Sequence, residues 1–327
     1  MIHADCKVGI VIPCYRVRNT VVPLIQKVDS NISHIFCVDD KCPEMSGQWI
    51  LENVSDPRIK VLFHDRNLGV GGATMTGFQA ALNHGCQIIV KLDGDGQMDP
   101  KEIPRLLAPI LAKRADFTKG NRFYDLDGLR TMPKIRLIGN ALLSFMSKFS
   151  TGYWHIFDPT NGFIALHVTA ARQIPWNKIS QDYFFESDLL FRLNIAAAVV
   201  EDIPMKARYG DEISSLKIRS IVFPFLYKHS KNFLKRVFYN YFLRNFCIVS
   251  IELIIGTLLL LAGIWWGSSE WLISLSTGIP RTSGTVLLAV LPILLGVQLI
   301  LTFLNYDMNT IPKLPLQIRL AEWDNLP

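Results

Sequence analysis

Two aspartates two residues apart, Asp93 and Asp95, stand in the stretch LDGDGQMDP from Leu92 to Pro100. Carboxylates at that spacing can both reach one hard cation when the backbone between them bends tightly, which Gly94 and Gly96 permit. Gln97 adds a neutral oxygen. A divalent metal such as Mg2+ or Mn2+ held by so few protein ligands keeps positions open for phosphate oxygens. A bare D-x-D is more often a solvated turn, so the rest of the chain has to decide. An EF-hand fits poorly, because Gln97 falls at its third ligand position and Met98 where it needs glycine.

The elements around this stretch predict where it sits. QIIVKL, residues 87 to 92, reads as a buried strand, and Pro100 opens a helix that runs to about Arg114. Upstream, VGIVI (8 to 12), HIFCV (34 to 38) and 59 to 63 read as strands, with a helical pattern from Thr20 to about Ser30. The Gly-rich turn RNLGVGG leads into a further helix with apolar Met75, Phe78, Ala81 and Leu82. Strands near Phe117, at 163 to 167 and at 199 to 203 follow, with helices at 135 to 149 and around 186 to 193. Alternating strands and helices predict a mostly parallel sheet with helices on both faces. The paired aspartates then lie at a strand's carboxyl end, where open α/β sheets bind ligands.

Half of the 327 residues are apolar, and the net charge is +6. The positive excess is concentrated: residues 217 to 244 carry Lys217, Arg219, Lys228, Lys231, Lys235, Arg236 and Arg244 and no acid. Immediately after them, Phe246 to Trp266 and Gly284 to Leu304 are each long and apolar enough to cross ~30 Å of hydrocarbon as helix. A loop at 267 to 283 has only Glu270 and Arg281 as charges. The positive-inside rule then places both termini and the soluble region in the cytoplasm, on the inner face of a plasma membrane. Basic side chains among large aromatics over 221 to 244 predict an amphipathic helix in the headgroup layer, so the basic excess serves membrane lipid and not nucleic acid. The six cysteines show no C-x-x-C and lie in apolar runs, as in a reducing compartment. Four segments follow: 1–217 soluble domain, 218–245 juxtamembrane helix, 246–305 two spans and 306–327 cytoplasmic tail.

Gly69 and Gly71, followed by a strand and Asp93, imitate a dinucleotide fingerprint. Thr74 stands where the third glycine belongs, and the first glycine lies five residues beyond its strand, which argues against that reading. The order VIPCYR (11 to 16), VDD (38 to 40), RNLGVGGA (66 to 73), LDGDGQMDP, KGNR (119 to 122), DPTNGF (158 to 163), FFESDLL (184 to 190) and RYGDEISSLK (208 to 217) instead resembles a family-2 glycosyltransferase. Within it, the chain looks like the polyprenyl-phosphate glycosyltransferases, which include dolichyl-phosphate mannose synthases and two-span bacterial glucosyltransferases. The resemblance covers residues 8 to about 217, and the paired spans match the bacterial branch. Two departures stand out: VDDKCPEMSG replaces a V-D-D-G-S-type turn, and the Q-x-x-R-W signature of processive synthases is absent.

The resemblance implies a GT-A, Rossmann-like fold and assigns roles. Pro13 and Tyr15 line the donor pocket, and Asp39 and Asp40 bind the base or ribose. Asn67, Gly69 and Gly71 form a turn over the nucleoside; Asp93, Asp95 and Gln97 hold the metal; Arg122, Arg208 and Lys217 face the donor diphosphate and acceptor phosphate. Asp158 and Glu186 match acids near the transferred sugar or acceptor, whereas Asp188 reads as helix surface. The expected reaction is inverting transfer of one hexose, from UDP-glucose, to undecaprenyl phosphate, by an enzyme that self-associates through its spans. A membrane-tethered protein that binds nucleotide sugar without catalysis is the alternative. A channel subunit is poorly supported, since Glu252 is the one ionisable group in the expected spans.

Overall fold

A computed structural model describes residues 6–125, 134–206 and 218–324. The chain divides into two units, Met1–Phe233 with Pro312–Pro327, and Leu234–Ile311.

In the first unit, strand β1 (Val8–Cys14) is apolar on both faces because helices cover both. It pairs in parallel with β2 (His34–Asp39) and β4 (Ile88–Lys91), and β2 pairs in parallel with β3 (Ile59–Phe63). Beyond β4 come β6 (Ile164–His167), which is antiparallel, then β5 (Phe117–Asn121) and β7 (Val200–Pro204). The order is β3-β2-β1-β4-β6-β5-β7. The seven strands lie where the sequence predicts them, and one reversed strand makes the sheet mostly parallel.

Strand alternation sorts the core into two layers. Val8, Ile10, Ile12, Ile88 and Val90 pack with Val21, Leu24 and Ile25 of α1 (Arg18–Ile25), and with Ile103, Leu106, Leu107 and Ile110 of α4 (Ile103–Leu111). α3 (Gly69–Asn83) packs on β1 and β2 and against α7 (Phe185–Ile195), which itself meets α5 (Lys134–Thr151). Two short helices, α2 (Ser46–Asn53) and α6 (Val168–Arg172), complete this part.

In α8 (Ile218–Phe238), His229, Asn232 and Arg236 are buried, while Phe223, Leu226, Tyr227, Leu234 and Phe238 are exposed alongside Lys231 and Lys235. Its exposed side thus mixes large apolar groups with lysines. In the second unit, α9 (Ile248–Thr277) and α10 (Ser283–Asn309) are both long and apolar enough to span a membrane, and little of their surface is buried. A soluble core helix would be covered, and these exposed apolar surfaces suit hydrocarbon. Helix α9 runs eleven residues past the expected end at Trp266 and absorbs most of the expected loop; the connection that remains is 278 to 282. Glu270 and Arg281 pair there at 2.9 Å. Arg236, counted among the basic surface residues from sequence, is instead enclosed, with its guanidinium on Asp307 at 2.6 and 2.9 Å. The tail helix α11 (Leu316–Asp324) belongs to the first unit.

Candidate active site

The carboxyl ends of β1, β2 and β4 carry three loops whose side chains shape one end of the sheet. At β4, Asp93 and Asp95 follow directly. Gly96 takes φ +79°, and the Asp95 Oδ1 accepts the Gln97 amide at 2.9 Å, so the two carboxylates sit on a tight turn. Thr20 Oγ1 donates to the Gly94 carbonyl at 2.6 Å, which ties this turn to the start of α1, just after Pro13 at the end of β1 and Tyr15 in the loop between. Tyr15 is exposed, and the Arg16 guanidinium lies over its ring.

Asp39 and Asp40 are both buried, and each is taken up by the chain itself. Asp39 accepts the Cys42 and Gly47 amides at 2.7 and 2.6 Å. Asp40 accepts the Leu68 and Gly69 amides at 2.8 Å each and meets His64 Nδ1 at 2.7 Å. These carboxylates hold the two loops in shape before any ligand enters. The turn of Asn67, Gly69 and Gly71 is likewise spoken for: Asn67 Oδ1 accepts the Gly69 amide at 3.0 Å, and the Gly71 amide donates to the Gln181 carbonyl at 2.9 Å. The glycine-rich turn thus grips the segment leading into α7, the helix that bears Glu186.

The other half of the site is a row across the sheet. Register sets Lys91 of β4 and Lys119 of β5 on either side of Ile164, and Asp202 of β7 next to Lys119, so all four project to the same face. Lys91 Nζ is 2.5 Å from Asp93 Oδ1 and 3.5 Å from Glu186 Oε1. Burial alone would depress its pKa, but the two carboxylates outweigh burial and raise it, so Lys91 is an ammonium. Gly162, in the 158 to 163 loop, lies so close that a methyl group there would overlap Lys91 Nζ and Asp93 Oδ2. Asp158 is 1% exposed, and both its oxygens bind the Arg122 side chain, at 2.8 and 2.9 Å. In this geometry Asp158 orients the Arg122 guanidinium. Asp202 accepts Asn121 Nδ2 and the Phe157 amide, at 2.6 and 3.0 Å, and burial raises its pKa.

Among the described residues, no three Asp, Glu, His or Cys side chains form a ready-made metal cage. The donors at the Asp93–Gln97 turn are hard oxygens, and one or two carboxylates completed by phosphates is the way Mg2+ is commonly held. They fit such an ion. Asp93 shares one oxygen with Lys91, and Asp95 shares one with the Gln97 amide.

The family model for glycosyl transferase family 2 matches residues 9–174. The chain belongs to that family. It is a glycosyltransferase of GT-A architecture, and similar proteins carry related names. The UDP-N-acetylglucosamine–dolichyl-phosphate N-acetylglucosaminyltransferase of Methanococcus voltae is 25% identical over 222 residues, covering 64% of this chain and 88% of its own. The polyprenol monophosphomannose synthase of Mycolicibacterium smegmatis is 31% identical over 198 residues, covering 59% and 74%. Among solved structures, glucosyl-3-phosphoglycerate synthase from Mycobacterium tuberculosis, in complex with Mn2+, uridine diphosphate and phosphoglyceric acid, shares the fold. Its TM-score is 0.53 at 14% identity, over 71% of this chain and 79% of that one.

Within this family-2 glycosyltransferase the structure brings Asp93, Glu186, Arg122 and Asp158 to one face, beside the turn bearing Asp95 and Gln97. Arg208 and Lys217 lie outside the described residues. Asp188, read from sequence as helix surface, is buried and accepts the Ser180 amide at 2.9 Å and Asn232 Nδ2 at 3.1 Å. Sequence reasoning passed over Lys91, Lys119 and Asp202. A lysine inside an apolar strand was the available signal, because a buried ammonium must have carboxylates around it.

Proposed function

We propose that this enzyme transfers one hexose from a nucleotide sugar to the phosphate of a membrane polyprenyl phosphate, with inversion. One observation carries the reading: a family-2 glycosyltransferase fold is continuous in one chain with two apolar, largely unburied helices. A soluble acceptor would give those helices no purpose, whereas a lipid phosphate is presented at the surface they enter. The relatives named for dolichyl-phosphate and polyprenol acceptors support the same class.

The chemistry suits the residues. An acceptor phosphate is anionic at neutral pH, so no strong general base is required. Its oxygen forms the bond to the anomeric carbon as the bond from that carbon to the donor diphosphate breaks, and the electron pair leaves with the diphosphate. Asp95 with Gln97, assisted by Asp93, would hold a divalent cation, which supplies charge stabilisation to the leaving diphosphate. Arg122, fixed by Asp158, adds a second positive charge, as would Arg208 and Lys217. Pro13, Tyr15 and the loops organised by Asp39 and Asp40 form the nucleoside end, and Glu186 stands at the sugar end. The donor expected from resemblance is UDP-glucose, while the relatives' names carry mannose and N-acetylglucosamine.

The test is incubation of the full chain in detergent micelles with polyprenyl phosphate and, separately, UDP-glucose, UDP-N-acetylglucosamine and GDP-mannose, followed by mass spectrometry of the lipid. One donor should give lipid phosphate carrying a single sugar. Donor binding without any glycolipid would instead establish a tethered nucleotide-sugar-binding protein.

A further inference from the structure

Lys119 lies within β5 with no exposed surface. An ammonium there is costly unless acceptors and anions enclose it. Its Nζ donates to the Asn161 carbonyl. Facing it are the carboxylates of Glu186 from α7, Asp158 from the 158 to 163 loop and Asp202 from β7, with the Lys91 ammonium of β4 as a like charge. Asn161 is itself locked, with Oδ1 on the Phe163 amide at 3.0 Å and Nδ2 on Met205 Sδ at 3.0 Å. The same strand therefore holds this loop at two points. Lys119 grips its middle, and Arg122, just past the strand's end, grips Asp158 at its start.

We propose that Lys119 is a positioning residue for sugar transfer: its charged ammonium fastens the Asp158–Phe163 loop and so fixes where the Arg122–Asp158 pair stands. The inference rests on the transfer reaction proposed above. It also has a pH signature. Burial lowers the Lys119 pKa to about 8, with Glu186, Asp158 and Asp202 opposing the fall and Lys91 adding to it. The ammonium is therefore present below that value and lost above it, leaving three carboxylates facing a neutral amine.

The experiment follows kcat and donor KM of the full chain between about pH 6 and 10, with hydrogen exchange of the 158 to 163 segment as a readout that needs no turnover. The wild-type kcat should fall on the alkaline side with a midpoint near 8. Lys119→Arg keeps its charge throughout and should remove that limb. Lys119→Met should lower kcat about 10- to 100-fold, the scale of a misplaced group, with donor KM little changed and faster exchange in the loop. A wild-type profile that stays flat, an alkaline limb retained in Lys119→Arg, or unchanged exchange in Lys119→Met would each overturn the assignment. Should Lys119→Met not fold, the wild-type profile and Lys119→Arg decide it. If wild type makes no glycolipid with any donor while Lys119→Met still loosens the loop, the anchoring role stands and the transfer reading fails.

Discussion

Asp95 is the residue where loss of one charge should separate chemistry from folding. Its Oδ1 accepts the Gln97 amide, a bond that an asparagine oxygen can also accept, so Asp95→Asn preserves the turn. The substitution removes the anionic donor, and transfer should fall about 100- to 1,000-fold, as when other charge-stabilising groups are deleted. The thermal melt should not change, and chelator should reproduce the loss in wild type. Full turnover in the variant would reject Asp95 as a ligand. His229 offers a residue-scale prediction about stability. Its Nδ1 is 2.7 Å from Ser150 Oγ, its ring lies against Phe184 and Phe225, and burial lowers its pKa to about 4. The unfolded chain takes up that proton near pH 6.5, the folded chain only near 4, so stability is full above 6.5 and declines as pH falls through the window. The expected loss is about 3 kcal/mol. His229→Asn keeps an N–H near the Nδ1 position and abolishes the titration, so its denaturant midpoint should fall less steeply with acid than that of wild type. Parallel curves for the two proteins would remove His229 as the cause.

Elements differ in how much of themselves they wrote into the sequence. The strands were readable because runs such as VGIVI and QIIVKL are apolar, β-branched and bounded by Pro or Gly. Helix α2 was not, because its eight residues, SGQWILEN, are too few to show a helical period; it starts where Asp39 pins the Cys42 and Gly47 amides. Helix α11 is polar and short, and its start is fixed by a partner some 200 residues away: Asp116 accepts the Leu316 and Gln317 amides at 2.8 and 3.2 Å. In the site, the D-x-D turn and the Gly-rich turn announced themselves through composition. Lys119 did not, since its partners Asn161, Glu186 and Asp202 come from three other segments and converge only in the folded sheet. The contact between α9 and α10 was hidden for a related reason. A hydropathy window sees apolar length, but the helices approach through glycines. A side chain at Gly296 would stand 2.7 Å from the Gly256 carbonyl and from the Leu260 amide nitrogen, both backbone atoms. Gly296→Val should therefore push the pair apart at a cost of about 1–3 kcal/mol, read as a lower melting temperature in micelles, whereas valine at Gly284, where the space is open, should have little effect. Equal melts for the two variants would mean the close approach is not what holds the hairpin.

At the scale of the whole molecule, the tail carries a prediction about topology. Residues from Pro312 onward fold with the glycosyltransferase unit, not with the apolar helices between. Asp116 receives two amides of α11, Gln317 Nε2 donates to the Ile110 and Ala115 carbonyls at 3.1 and 2.9 Å, and Arg319 donates to the Ala196 carbonyl at 3.0 Å. A chain that leaves a folded unit, enters a bilayer and rejoins the same unit must return on the side it left. Such a chain needs an even number of crossings, and α9 and α10 are two helices long and apolar enough to make them. With Lys231 and Lys235 exposed on α8 before the first apolar helix, the positive-inside rule predicts that this shared side is the cytoplasmic one. The same prediction puts the connection at 278 to 282, its Arg281 paired with Glu270, in the opposite compartment. Single cysteines test this directly, after Cys6 and Cys247, the two native thiols that are not buried, are replaced by serine. Ile279→Cys stands at the tip and Lys313→Cys at the start of the tail, both at exposed positions. In intact cells, a membrane-impermeant maleimide should label Ile279→Cys and leave Lys313→Cys unmodified until the membrane is opened. Labelling of both from outside, or of neither, would show that the hairpin does not cross, and the apolar helices would have to lie along the membrane surface.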